Sequence, residues 1–195
     1  MRTTARPLSL LAAALGSLLL VAACAPADAP PITDAPSAAW LSDHGLDGMS
    51  GLEVVDHLEA MPVAERPTDL IASIKPDSVE LSDLDGNTTS LDLPEDEFYV
   101  SVAPYLTQTH ECFFHSLTTC LGELRDQDVS VHVVDGSGAV LIEEEARTAD
   151  NGFVGLWLPR GVDATLTIEH DGRAVATPVS TGDDDPTCVT TARLM

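Results

Sequence analysis

The stretch Ser78-Val-Glu-Leu-Ser-Asp-Leu-Asp-Gly-Asn-Thr-Thr-Ser-Leu-Asp-Leu93 decides the fold. Two runs, Ser78–Leu84 and Thr88–Leu93, flank Asp85-Gly86-Asn87. An apolar period of two places alternate side chains on one face of a strand, and an Asp-Gly step between two such runs signals a hairpin. The same period continues downstream. Phe98, Val100 and Val102 alternate with Tyr99, Ser101 and Ala103, and Val129, Val131 and Val133 alternate with Ser130 and His132 before Asp135-Gly136 turns the chain. Val140–Glu143, Val154–Leu158 and Ala164–Ile168 are further strands, Asp171-Gly172 turns into Ala174–Val179, and Cys188–Leu194 is the last strand. Short strands at this spacing predict an antiparallel, β-sandwich-like domain over residues 78–195.

Upstream the period changes. Leu52, Val55 and Leu58 form one helical stripe within Ser50–Met61, with Ser50 and Glu53 as a capping box and Pro62 as the stop. Thr68–Ile74 is expected to be a second short helix, ended by Pro76. The fold class is therefore α+β and mainly β, with a small helical N-terminal part over residues 40–77. Residues 24–39 are rich in Pro and Ala and read as an extended tether.

The first 23 residues read as a secretory signal peptide: Arg2 and Arg6 precede an apolar run that ends in small residues. Val21-Ala22-Ala23-Cys24 resembles the bacterial lipobox, which implies cleavage before Cys24 and lipidation of its sulfur. The expected location is outside the cytoplasm, periplasmic or anchored by lipid to the outer face of the cytoplasmic membrane, where disulfides are permitted. Nine Lys and Arg stand against 32 Asp and Glu, a formal charge of −23. That surface repels phosphate backbones and anionic headgroups, which argues against nucleic acid as a partner and leaves the lipid anchor as the membrane contact.

With Cys24 set aside, three thiols remain: Cys112, Cys120 and Cys188. One disulfide leaves a sulfur over, and an exported structural framework usually pairs them all. Cys112 and Cys120 are eight residues apart, about 12 Å along a straight helix or about 26 Å along a strand, so the chain must double back if these sulfurs are to meet. Soft thiolates select Cu(I) or zinc; structural zinc prefers four ligands, and a trigonal three-sulfur set suits Cu(I). His110 and His115 flank Cys112. In one reading they complete a zinc set; in the other they are outer-shell or surface residues. Phe113-Phe114 is expected to be core packing rather than a shield over the sulfurs. The runs Asp183–Asp185 and Glu143–Glu145 read as solvated, and His44, His57, His132 and His170 receive no role. No hydrolase elbow, zinc-protease helix, phosphate loop or dinucleotide fingerprint is present.

The stretch Ser101-Val-Ala-Pro-Tyr-Leu-Thr-Gln-Thr-His-Glu-Cys112-Phe-Phe-His-Ser-Leu-Thr-Thr-Cys120-Leu-Gly-Glu-Leu124 resembles the signature of the CueP family. Gly45–Ser50, Pro62–Pro67 and Asp185-Pro-Thr-Cys188-Val-Thr-Thr191 fit the same family, so the resemblance covers about residues 45–194. It implies a copper-resistance protein of the envelope that binds and buffers copper and passes it to a periplasmic Cu,Zn superoxide dismutase. It also implies Cys112, Cys120 and Cys188 as Cu(I) ligands, and a homodimer formed through the N-terminal part near residues 45–75. Two other readings stay open. One is a thiol reductase of Cu(II) or Fe(III), in which Cys112 and Cys120 cycle to a disulfide. The other is a lipid-tethered β-sandwich with a structural role, since the chain from Val129 onward is also similar to carboxypeptidase-regulatory and collagen-adhesin sandwich repeats.

Overall fold

The computed structural model describes residues 39–195. The expected signal peptide, Cys24 and the tether up to residue 38 lie outside the described residues. Among the described residues no helix is long and apolar enough to cross a membrane.

Among the described residues one α-helix, α1 (Gly51–Ala60), forms where the capping box predicts it. The Ser50 side chain accepts the Glu53 N–H at 3.3 Å, and the Glu53 carboxylate accepts the Ser50 N–H at 2.8 Å. Two N–H groups that the first helical turn would leave unpaired are thus satisfied reciprocally. Val54, Val55 and Leu58 are buried on its inner face.

Ten strands follow: β1 (Leu70–Ile74), β2 (Ser78–Asp83), β3 (Thr88–Asp92), β4 (Glu97–Val102), β5 (Asp128–Asp135), β6 (Val140–Arg147), β7 (Val154–Pro159), β8 (Asp163–His170), β9 (Arg173–Ser180) and β10 (Cys188–Val189). They form sheets ordered β1-β2-β3, β10-β4-β7 and β6-β5-β8-β9. The fold is α+β and mainly β, and every pairing is antiparallel except β10 with β4. Local chemistry closes the hairpins. The Asp83 carboxylate accepts the N–H groups of Asp85 and Asn87 between β2 and β3. Asp171 and Gly172 take φ of 53° and 73° between β8 and β9, the paired positive angles that a tight primed turn needs.

The β4–β7 sheet is the middle layer. Phe98, Val100 and Val102 of β4, with Val154, Leu156 and Leu158 of β7, pack against Val129, Val131, Val133, Leu166, Ile168 and Val179 of the four-stranded sheet. This is the sandwich core. On the opposite face Tyr99 and Trp157 join a second core with α1 and the inner residues of β1, β2 and β3. Strict alternation along β4 lets one strand feed both cores.

Three expectations fail. Thr68–Ile74 is not a helix: its last five residues are β1, which pairs with β2 along its whole length. Leu70, Ala72 and Ile74 point inward while Ile71 is exposed, a two-residue period that overrides the short stretch's helical reading. The last strand is not Cys188–Leu194 but only Cys188–Val189, followed by an isolated bridge between Tyr105 and Arg193. The Arg193 N–H bonds back to Thr191, which bends the chain out of the ladder. Phe113 is not core either; it is 53% exposed, with its ring edge-on to Phe114.

Candidate metal centre

The segment between β4 and β5 contains the first two thiols and no helix or strand, only isolated bridges. Its path is fixed by bonds to distant elements. Ile74 donates its N–H to the His115 carbonyl at 2.8 Å, and Leu117 donates to Ala72 at 2.9 Å, so the loop covers the free edge of β1. The Thr187 hydroxyl accepts the His115 N–H at 3.0 Å and donates to the Ile74 carbonyl at 2.7 Å. Cys188 donates its N–H to Phe113 at 3.1 Å. Gly122 donates to Asn151 at 2.6 Å, and a Cβ on Gly122 would stand 2.6 Å from the Gly152 carbonyl oxygen, so glycine is required at this crossing.

Between its two cysteines the chain does double back. Cys120 donates its N–H to the Ser116 carbonyl at 3.1 Å, closing a single turn. The Cys112 and Cys120 sulfurs then lie 3.6 Å apart. Cys188, carried by β10, enters from the other side, with its Sγ 3.8 Å from His115 Nδ1. His115 Nδ1 or Nε2, Cys120 Sγ and Cys188 Sγ lie within 4.8 Å of one another, and so do the ligand atoms of His110, Cys112 and Cys120. The three thiols that the sequence singles out therefore converge on one place. They pack with Ala103 and Phe153 in a small apolar cluster at the end of the middle sheet.

His115 is the residue whose role the sequence left open. It is fully buried, and its Nε2 faces Glu59 Oε2 at 3.2 Å. Glu59 Oε1 accepts from Asn151 Nδ2 at 3.0 Å, and Asn151 Oδ1 accepts the Phe153 N–H at 3.0 Å. A carboxylate on one ring nitrogen sets the imidazole's orientation and leaves Nδ1 turned to the sulfurs, the usual support for a metal-binding histidine. Phe153 is fully buried and stacks obliquely on His115 at 4.6 Å between ring centres. His110, by contrast, is exposed. Glu59, Asn151, Phe153 and Thr187 were not picked out from the sequence. The one local signal was an acid, Glu59, at the rim of the apolar stripe of α1.

Among the three sulfurs, electrostatics favour the thiolate form at Cys120. Hydrogen bonds from Cys112 and then Cys188 lower its pKa against the opposing effect of burial, with a smaller contribution from His115. Cys112, whose sulfur lies against that of Cys120, is pushed up to about 12, chiefly by that contact. Cys188 is raised by its bonds to Cys112 and Cys120 and by burial. Burial opposes a charged His115, but the bonds to Cys120 and Glu59 outweigh it and raise the ring's pKa. Burial likewise works to raise Glu59, and its contacts with His115, Asn151 and Arg66 overcome that and hold it low. The donor set is soft sulfur with imidazole nitrogen in an apolar setting. Such a set favours a soft monovalent ion over hard cations, which need oxygen ligands.

Comparison with known proteins agrees with this chemistry. The sequence model of the family described as periplasmic copper-binding protein CueP matches residues 53–193. No curated protein matches. Among solved structures, the chain is similar to the crystal structure of S.CueP, at 38% identity and a TM-score of 0.76, over 82% of this chain and 98% of that one.

Proposed function

This chain belongs to the CueP family of periplasmic copper-binding proteins, and from that premise we propose that it sequesters Cu(I) in the cell envelope through the thiolates of Cys112, Cys120 and Cys188. The observation that carries the reading is the convergence of these sulfurs beside the buried, carboxylate-oriented His115. Free Cu(I) cycles with oxidants and displaces other metals. A buried thiolate set holds it far more strongly than oxygen ligands do and keeps water from it. The protein thereby buffers copper and contributes to copper resistance, and it passes the ion to an extracytoplasmic cuproenzyme such as a Cu,Zn superoxide dismutase. In this reading it works as an exported, periplasmic protein tethered by lipid at Cys24, and it dimerises through residues 40–77.

Anaerobic titration of the reduced protein with Cu(I), against a competing chelator, tests the reading. Tight binding should weaken by orders of magnitude in Cys120→Ser and markedly in Cys112→Ser and Cys188→Ser. Unchanged affinity in all three variants would overturn it.

A second reading has its own observation. The Cys112 and Cys120 sulfurs at 3.6 Å need only a small approach to join. Closing that disulfide from the Cys112 thiol and the Cys120 thiolate releases one proton and two electrons, enough to reduce two Cu(II) ions to Cu(I). Reduction that stops after two electrons per chain would mark a preparatory step for binding. Repeated turnover with a thiol-regenerating partner would make the protein a reductase.

A further inference from the structure

Two metal-capable groups meet at one sulfur. The first is His110, Cys112 and Cys120, whose residues are exposed, half-buried and buried; the second is His115, Cys120 and Cys188, all buried. Resting on the copper-binding reading above, we propose that the centre offers one Cu(I) ion two stations: an outer capture station of His110, Cys112 and Cys120, and an inner storage station of His115, Cys120 and Cys188. Cys120 stays bound throughout and acts as the pivot.

Each station supplies one imidazole nitrogen and two sulfurs, and all three thiols are used only when both stations are counted. With metal–sulfur bonds of about 2.3 Å, two sulfurs in a trigonal plane lie about 4 Å apart. The Cys112–Cys120 separation of 3.6 Å is close to that span without rearrangement. The stations also share a wall. The Phe153 ring lies 6.2 Å from the His110 ring and 4.6 Å from the His115 ring, centre to centre. They differ in access and in rigidity. The inner imidazole is held by Glu59 at 3.2 Å, and the inner thiol is tied through its backbone N–H to Phe113. The outer imidazole stands at the surface, where an arriving ion meets it first.

Passage inward is a ligand exchange. The bonds from copper to Cys112 Sγ and the His110 ring break, and bonds to Cys188 Sγ and His115 Nδ1 form. The Cys188 thiol gives up its one proton, Cys112 takes one, and His115 binds as the neutral imidazole with its Nε2–H on Glu59. Copper stays Cu(I), no electron moves, and the charge and proton count of the centre are unchanged. Because donor number and type are equal at both ends, the step is driven by burial and by the better-held imidazole.

X-ray absorption on the full-length protein, loaded anaerobically with one equivalent of Cu(I), tests this together with the rate of copper release to bathocuproine disulfonate. The two-station centre gives two sulfurs and one nitrogen in the wild type, in Cys112→Ser and in Cys188→Ser. Release should be at least tenfold faster than wild type in Cys188→Ser, where copper is stranded outside. In Cys112→Ser release should not quicken while loading slows. His115→Gln and His110→Gln should reproduce the same split should a cysteine variant fail to fold. Three sulfurs in the wild type, falling to two in both cysteine variants, would overturn the two stations and leave a single three-thiol copper centre standing. A wild-type protein that gives up its copper to the chelator at once would overturn both readings.

Discussion

The four-stranded sheet and the cysteine loop are held together by different physics. In the sheet, Val131, Val133, Leu166 and Ile168 are 0–1% exposed, and the strands β5 and β8 pair without a break from Ser130–Glu169 to Asp135–Ala164. Its stability comes from apolar area removed from water, and its turns carry their own instructions, as at Asp171-Gly172. The loop between β4 and β5 has no such ladder. It is pinned by Thr187, Ile74, Glu59 and Asn151, residues from four other places in the chain. A framework stabilised by apolar burial tolerates loss of one polar bond. A site assembled from single bonds between distant segments loses geometry with each one. Stability and copper binding should therefore respond to different residues.

The largest effect belongs to the sheet. Leu166→Ala removes a fully buried side chain from the sandwich core and should cost about 3 kcal/mol in denaturant unfolding. The folded variant should keep its copper affinity. A parallel loss of affinity in folded protein would break the comparison. Thr187→Val comes next, at about 2 kcal/mol, because it leaves the buried His115 N–H and Ile74 carbonyl without the hydroxyl that joins them. Here affinity should fall with stability, since that hydroxyl links β1, the loop and the approach to β10.

The same contrast explains what could be read in advance. The capping box at Ser50 and Glu53, the β2–β3 hairpin and the alternation along β4 and β5 are local patterns, and the fold follows them. Thr68–Ile74 reads as a helix from sequence because so short a stretch carries both periods, and only pairing with β2 decides between them. Within the site, the thiols announced themselves by chemical type and by their odd number. That they meet is implied by the family resemblance and by no spacing, because nothing in the sequence encodes the turn at Ser116 or the entry of β10 beside β4. Glu59, Asn151 and Thr187 carry no motif. Each acts on His115 or its neighbours across 56 or more residues, a distance over which a sequence without its fold gives no constraint.

Glu59→Gln sharpens the comparison at smaller cost. The carboxylate serves His115 through one oxygen and Asn151 through the other, and an amide offers only one oxygen to the two donors. The expected loss of stability is about 1 kcal/mol. Copper affinity should fall about tenfold, the usual consequence of losing the group that orients a metal-binding histidine. Affinity unchanged in the variant would mean that Glu59 supports the fold alone and that His115 needs no orienting partner.

The smallest effect is a pH dependence, and it bears on the loop's outer rim. Glu123 accepts the N–H groups of Leu106, Thr107 and Gln108 and the Thr107 hydroxyl. Those bonds, led by the Thr107 hydroxyl, hold its carboxyl down at about 2, below the ordinary 4.5. A folded-state value below the unfolded one contributes stability that is whole above pH 4.5 and lost as pH falls through about 2. Wild type should exceed Glu123→Gln in thermal stability by a small, constant margin above pH 4.5, and the margin should close between there and pH 2. Protection of the Leu106, Thr107 and Gln108 amides, measured against the intrinsic exchange rate at each pH, should fall over the same window. The hairpin between β5 and β6 provides the control, since Asp135 likewise accepts from Ser137 and Ala139 and is likewise held low. Its loosening in acid should leave the strands paired, because the burial of Val131 and Val133 does not titrate. Protection at the rim of the cysteine loop that is indifferent to pH would mean that Glu123 is a bystander and that the loop is carried by its buried bonds alone.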